Sequence, residues 1–249
     1  VELLARSGPV RLLSATAEAT LEQLEVVSTA RATTVGTRDG RLRIATVEHV
    51  FAAMAGLGIH EGVQLRVDGP EVPLLDGGAL RWCEALRDLS VPPSPPRLRV
   101  VREAVLEVGP TRFELRPDDR MHVEVRVELD DPRFVPDASW AGDALDFERR
   151  IAPARTFTLA RDVEELIRRG LARHVDPTSV VVLAPDAVHS AGRPFTPDEP
   201  ARHKLLDLMG DLFLHGGPPR GHVRVVRPGH ASNARLLRRA LDEGILATA

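Results

Sequence analysis

The sequence predicts an α+β chain in two halves, each a sheet with helices. Three observations predict it. Short runs alternate polar and apolar residues with period two, most strictly from His122 to Leu129, as half-buried strands do. The run from Glu199 to Leu214 instead repeats at helical spacing. Between the halves lies Val91-Pro92-Pro93-Ser94-Pro95-Pro96, a stretch that interrupts regular structure. The boundaries drawn from it are 1–92 and 97–249.

Bulk properties narrow the class. A chain of 249 residues suffices for one large or two modest domains with real cores. A 43% hydrophobic content fits a folded protein and not a disordered one. A net charge of -3 gives no case for a nucleic-acid partner. No apolar run approaches the length of a membrane span. The single cysteine, Cys83, excludes a disulfide framework and a multi-cysteine zinc site. Its apolar helical context predicts a buried thiol. The first residues carry charge and no long apolar core, so a cytoplasmic setting is expected, although the chain begins at Val1.

In order, residues 9–35 alternate short β-like runs with a Glu/Leu-rich piece at Leu21–Glu25. Asp39-Gly40 is a turn that leads to a strand at Leu42–Ile44. A helix follows, with Thr46 as expected N-cap and Gly56 as stop. Ala52, Ala53 and Ala55 would let it pack closely. Glu48 and His49 lie in its first turn, where an acid suits the helix dipole. Taken alone, Glu48 reads as a helix-dipole acid and His49 as a capping or core histidine. Val63–Val67 alternates as a strand, and 79–89 reads as a helix. After the prolines, strands are expected at Leu98–Glu103, Ala104–Val108, Arg112–Arg116 and Met121–Leu129. Strand Ala154–Leu159, helix Arg161–Arg169 with a stop at Gly170, and strand Ser179–Leu183 make a βαβ unit. Strand His222–Val226, a turn at Pro228-Gly229-His230 and a helix over Asn233–Leu241 close the chain. Arg235, Arg238 and Arg239 read as its solvated face.

The helix from Glu199 carries the densest chemistry. Pro200 is tolerated in its first turn, and Gly216, Gly217 and Pro218 stop it. His203, Asp207 and Asp211 fall in one polar arc, opposite Leu205, Leu206, Leu208, Met209, Leu212 and Phe213. An H-x-x-x-D pair can put a nitrogen and an oxygen on one divalent metal. Such pairs are also common as solvated ion pairs on helix surfaces. Lys204 is the only lysine of the chain. An otherwise all-arginine composition suggests a site that wants a compact ammonium.

Together the segments resemble a family. Ala45-Thr46-Val47-Glu48-His49-Val50, Ala55–Ile59, Pro73-Leu74-Leu75-Asp76-Gly77, Ala154-Arg155-Thr156-Phe157, Arg161-Asp162-Val163-Glu164, Arg202–Asp207 and Gly229-His230-Ala231 are similar, in order, to the zinc-dependent UDP-3-O-acyl-N-acetylglucosamine deacetylases of lipid A synthesis. The matches run from about Thr34 to Leu241.

The resemblance implies roles. His49, His203 and Asp207 would be ligands of Zn2+. Glu48 would be the general base on water. Thr156 would help hold the oxyanion. His230, oriented by Asp211, would stabilise charge and protonate the departing amine. Lys204, Phe157 and Asp162 would meet the substrate, an acylated nucleotide sugar. The resemblance also implies two similar domains layered as a sandwich, with helices between the sheets and the active site at their junction. A βαβ insert, about 154–183, would wall an acyl channel at Phe157, Leu159, Leu166, Ile167 and Val180–Leu183. An ordinary βαβ core explains those residues equally well.

Three departures stand out. The family's opening G-V-G-L-H-like motif has no match. The loop Gly170-Leu171-Ala172-Arg173-His174-Val175-Asp176-Pro177 replaces a G-L-x-L-G-G-S-like one, and family D-G-S becomes Asp76-Gly77-Gly78. The alternatives are a zinc amidase for another N-acyl amino sugar, or a non-catalytic metal-binding relative. His60, His122, His174, His189, His215 and His222 fall outside the motifs and read as structural or surface residues.

Overall fold

The computed structural model describes residues 1–129, 131–168 and 175–248, apart from the side chain of Leu166. Before the prolines the elements are β1 (Glu2–Pro9), β2 (Arg11–Leu13), β3 (Glu18–Thr20), β4 (Leu24–Ser28), β5 (Thr34–Thr37), β6 (Arg43–Ile44), α1 (Glu48–Gly56), β7 (Glu61–Arg66) and α2 (Leu80–Asp88). After them come β8 (Leu98–Val100), β9 (Ala104–Val108), β10 (Thr111–Arg116), β11 (Met121–Arg126), β12 (Asp137–Trp140) and α3 (Ala144–Asp146), which runs into a π-helical turn. Then follow β13 (Thr156–Leu159), α4 (Ala160–Arg168), β14 (Val180–Leu183), β15 (Val188–Ser190), α5 (Glu199–Phe213), β16 (Gly221–Val226), α6 (His230–Asp242) and β17 (Leu246–Thr248). The fold is α+β, as expected.

The two large sheets repeat one topology. The first has strand order β1-β7-β2-β3 and the second β12-β11-β16-β10-β9. In the first, β7 and β2 run parallel between antiparallel neighbours. In the second, β16 and β11 do the same. So β10-β16-β11-β12 reproduces β1-β7-β2-β3, and α5 precedes β16 as α1 precedes β7. Both sheets turn an apolar row to the interior: Val63 and Leu65 on β7, Val223 and Val225 on β16. These residues belong to one continuous buried cluster that includes Phe51 of α1 and Leu206 of α5.

Every residue of α1 is buried, so its alanines do serve close packing. Residue Gly210 of α5 makes the closest approach. A Cβ there would stand 2.0 Å from the Glu48 carbonyl oxygen. The polar arc of α5 is not solvated: His203, Asp207 and Asp211 are buried with the apolar residues. A helix buried all round must be apolar or must pair its polar groups, and these groups pair.

Several boundaries shift. Strand β8 stops at Val100 and β11 at Arg126, short of the expected ends. Thr46 does not cap α1. Val47 precedes the helix, and Thr46 has φ 60, a left-handed conformation that β-branched residues rarely adopt. His230 begins α6 instead of sitting in a turn. The βαβ unit forms, with β13 parallel to β14 and β15 antiparallel at the edge. The stop at Gly170 and the loop 170–174, with Arg173 and His174, lie outside the described residues. Cys83 is buried, and burial pushes its thiol well above the usual range.

Candidate active site

Two helices supply the centre. Glu48 and His49 open α1, and His203 and Asp207 occupy successive turns of α5. His49 Nε2 is 3.6 Å and His203 Nε2 3.3 Å from Asp207 Oδ1. The two rings meet edge to face at 5.2 Å. Donor atoms of the three residues lie within 4.8 Å of one another, and all three residues are buried. The Ala154 carbonyl, 3.0 Å from His203 Nδ1, can only accept, so Nδ1 carries the hydrogen and Nε2 keeps its lone pair. Burial pushes the His203 ring down to about 4, so it is neutral. Burial opposes charge on Asp207, but the Lys204 ammonium, with the His230 cation beyond it, holds its carboxyl well below the usual carboxylate range. Lys204 Nζ donates to Asp207 Oδ2 at 2.7 Å. The imidazoles of His49 and His203 and the Asp207 carboxylate form a three-donor set of the kind that holds a catalytic divalent metal.

Proton-handling groups surround this set. Burial pushes the Glu48 carboxyl above the usual glutamate range. The Thr33 N–H donates to Glu48 Oε2 at 3.0 Å and fixes that carboxylate. His230 Nδ1 lies 3.0 Å from Asp211 Oδ2, while its Nε2 is 4.0 Å from Glu48 Oε1 and 3.9 Å from Asp207 Oδ2. Burial works against charge on His230, but Asp211 outweighs it and lifts the ring to about 10. Asp211 also accepts from Thr33 Oγ1 at 2.6 Å and from Asn233 Nδ2 at 2.8 Å. The ring is thus held as a cation with its free N–H toward the centre.

The centre opens into a cavity of about 1040 Å³. Glu48, His49, His203, Lys204, Asp207, His230, Thr156 and Phe157 line it, and Val163, Val175, Val180, Val182 and Val188 add apolar lining. Phe157 stands 6.2 Å from the His203 ring and 5.6 Å from Lys204 Nζ.

A family profile described as UDP-3-O-acyl N-acetylglycosamine deacetylase matches residues 9–242. The chain belongs to this family. It is 38% identical over 223 residues to the UDP-3-O-acyl-N-acetylglucosamine deacetylase of Myxococcus xanthus, covering 88% of this chain and 70% of the relative. The enzymes of the same name from Anaeromyxobacter dehalogenans and Acidithiobacillus ferrooxidans are each 36% identical. Those alignments cover 88% of this chain and 71% and 73% of the relatives. The deacetylase family is one of metalloenzymes, which agrees with the His49–His203–Asp207 donor set. Among the described residues, no helix is long and apolar enough to cross a membrane.

Most of the site residues expected from the family motifs converge. Asp162 does not line the cavity; its neighbour Val163 does. Of the expected channel wall, Phe157, Val180 and Val182 face the cavity, while Val181 and Leu183 are buried on the other side of β14. Ile167 is exposed at 59%, and the Leu166 side chain lies outside the described residues. His189, read as structural or surface, lines the cavity. Sequence reasoning missed Thr33 and Asn233, which carry no motif of their own. It also missed the purpose of Arg155. Its buried guanidinium pairs with Glu199 through Nε–Oε1 at 2.9 Å and Nη2–Oε2 at 3.2 Å. That pair ties the start of α5 to the segment just before β13, whose Ala154 carbonyl orients His203. Gly78 has a packing reason too: a Cβ would lie 2.4 Å from the Ala152 carbonyl oxygen, so the family serine would not fit here.

Proposed function

We propose that the chain hydrolyses the N-acetyl amide of UDP-3-O-acyl-N-acetylglucosamine, in lipid A synthesis, with Zn2+ held by His49, His203 and Asp207. The observation that carries this is the convergence of α1 and α5, which sets those donors beside Glu48 and His230 in a cavity that five valines also line. Zinc there supplies Lewis acidity, which makes water a competent nucleophile near neutral pH.

The protein groups divide the proton work. Glu48, fixed by the Thr33 N–H, takes a proton from the attacking water. Its raised pKa makes it a better base than an exposed carboxylate. The Thr156 hydroxyl donates to the oxyanion as the amide carbon becomes tetrahedral. His230 stabilises that charge and passes its Nε2 proton to the departing amine, with Asp211 balancing the ring. Lys204 and Phe157 orient the sugar, and the apolar lining takes the acyl chain. The products are acetate and a free glucosamine amine. Each half of the chain acts as a domain, with the site at their junction, and the enzyme works in the cytoplasm.

The test is a mass-spectrometric deacetylation assay on UDP-3-O-acyl-N-acetylglucosamine, UDP-N-acetylglucosamine and simple N-acetyl sugars. Acetate release from the acylated nucleotide, well above the others, is expected. Faster release from an unacylated sugar would assign a different substrate, and no release from any would overturn the reading.

A further inference from the structure

A second cluster of ligand-type side chains, none of which lines the cavity, lies on the outward face of the second large sheet. Strands β11 and β16 pair in parallel with His122 beside His222. Glu124, two residues along β11, projects on the same face, while Val123, Val125, Val223 and Val225 point into the core. The imidazoles stack with centroids 4.8 Å apart and planes at 24°. His122 Nε2 is 3.3 Å and His222 Nε2 3.4 Å from the same oxygen, Glu124 Oε1. Ligand atoms of the three lie within 4.8 Å of one another.

These separations are long for N–H···O hydrogen bonds, which cluster near 2.9–3.0 Å. His222 Nε2 is inaccessible to solvent and has no hydrogen-bond partner. They do suit a shared ion: two bonds of about 2.0–2.2 Å meeting at a tetrahedral angle separate their donors by about 3.3–3.6 Å. The primary donor set has the same spacing, 3.3 and 3.6 Å. Glu124 is also held from behind. Arg224 Nε lies 3.8 Å from Glu124 Oε2, and Arg224 is itself paired with Glu114 at 3.4 Å. That leaves Oε1 toward the histidines and offsets the arginine's charge.

We propose that His122, Glu124 and His222 form a second site, for a divalent transition metal, that clips β11 to β16. Two imidazoles and one carboxylate select Zn2+, Ni2+ or Cu2+ over Mg2+ and Ca2+. The clip joins strands whose paired histidines lie a hundred residues apart, so it closes a long loop that contains α5 and stabilises the fold by mass action. This inference does not depend on the proposed reaction.

The test is calorimetric titration of Zn2+ and Ni2+ into the zinc-loaded protein, with bound metal counted after equilibrium dialysis. Roughly one further equivalent per chain is expected for a three-ligand site, with a higher melting temperature, and its loss on adding a chelator. The His122→Asn/His222→Asn pair should lose that equivalent and keep deacetylation without added metal. The single Glu124→Gln variant guards against misfolding of the double one and should bind more weakly. A His203→Ala chain should retain this equivalent alone. Equal uptake by the unaltered chain and the Glu124→Gln and double variants, or no second equivalent at all, overturns the site.

Discussion

Gly210 of α5 lies against the backbone of Glu48, so close that a Cβ would meet the Glu48 carbonyl oxygen at 2.0 Å. That contact fixes how near the Asp207–Asp211 face of α5 comes to the first turn of α1. Gly210→Ala gains about 1 kcal/mol of helix propensity but drives a methyl into a carbonyl that cannot rotate away. Overpacking costs of about 1–3 kcal/mol or more should win. Urea unfolding should show a net loss of stability, accompanied by weaker metal retention. Unchanged stability would mean that the helices can separate freely.

The donor set predicts about one zinc per purified chain. His203→Ala should lower that content sharply and leave the protein less stable. Glu48→Gln should keep the metal and lose about 10²–10⁴-fold in turnover, the scale of an absent general base. Metal analysis and single-substrate kinetics on the two variants separate ligand from base. A Glu48→Gln enzyme with normal turnover would remove that residue from its proposed role.

His230 is lifted to about 10 from an ordinary 6.5. A raised histidine pKa contributes stability that is complete below pH 6.5 and is lost as pH rises through about 10. In the proposed reaction the same proton is the one donated, so activity should fall on the alkaline side. Asp211→Asn removes the strongest of the carboxylates that oppose burial of the charge, leaving Asp207 and Glu48 to hold it less well. Its alkaline limb should therefore move to lower pH in a kcat/KM profile. Coincident profiles for the two enzymes would contradict the pairing.

Thr33 touches both proton-handling groups, through its N–H to Glu48 and its hydroxyl to Asp211. Thr33→Val keeps the first and deletes the second. A hydrogen bond to a charged group is worth about 1.5–3 kcal/mol. The variant should lose stability on that scale and lower kcat with little change in KM, because no substrate contact is removed. A change confined to KM would place Thr33 among the binding groups instead.

Arg155 and Glu199 form a buried ion pair beneath the site. Breaking one by removing a partner costs about 3–5 kcal/mol. Arg155→Met should lose stability on that scale and loosen His203, whose orienting carbonyl belongs to the neighbouring Ala154. Denaturant unfolding with metal counting checks both effects, and a loss under about 1 kcal/mol would show the pair to be dispensable.

Periodicity and motif were enough to read the α+β class, the βαβ unit, the helix from Glu199 and ten candidate site residues along the chain. Period two and period 3.6 are local properties, visible wherever one face of an element is buried. The same locality explains the failures. The polar arc of α5 looks solvated on a helical wheel, yet it is buried because α1 packs against it with Glu48 and His49, and α6 adds His230. Thr33, Asn233 and the Arg155–Glu199 pair are silent in sequence, since a threonine, an asparagine or an ion pair acquires its purpose from partners tens to hundreds of residues away. The family resemblance implied two similar halves, but their shared strand order was not legible from the residues: it depends on which edges meet, not on the residues that make each strand. Composition and spacing thus settled the chemical groups available, while the close approach of two helices at Gly210 settled which of those groups can act together. Hydrogen bonds, metal donors and pKa shifts depend on distances of a few ångströms, and only packing sets those.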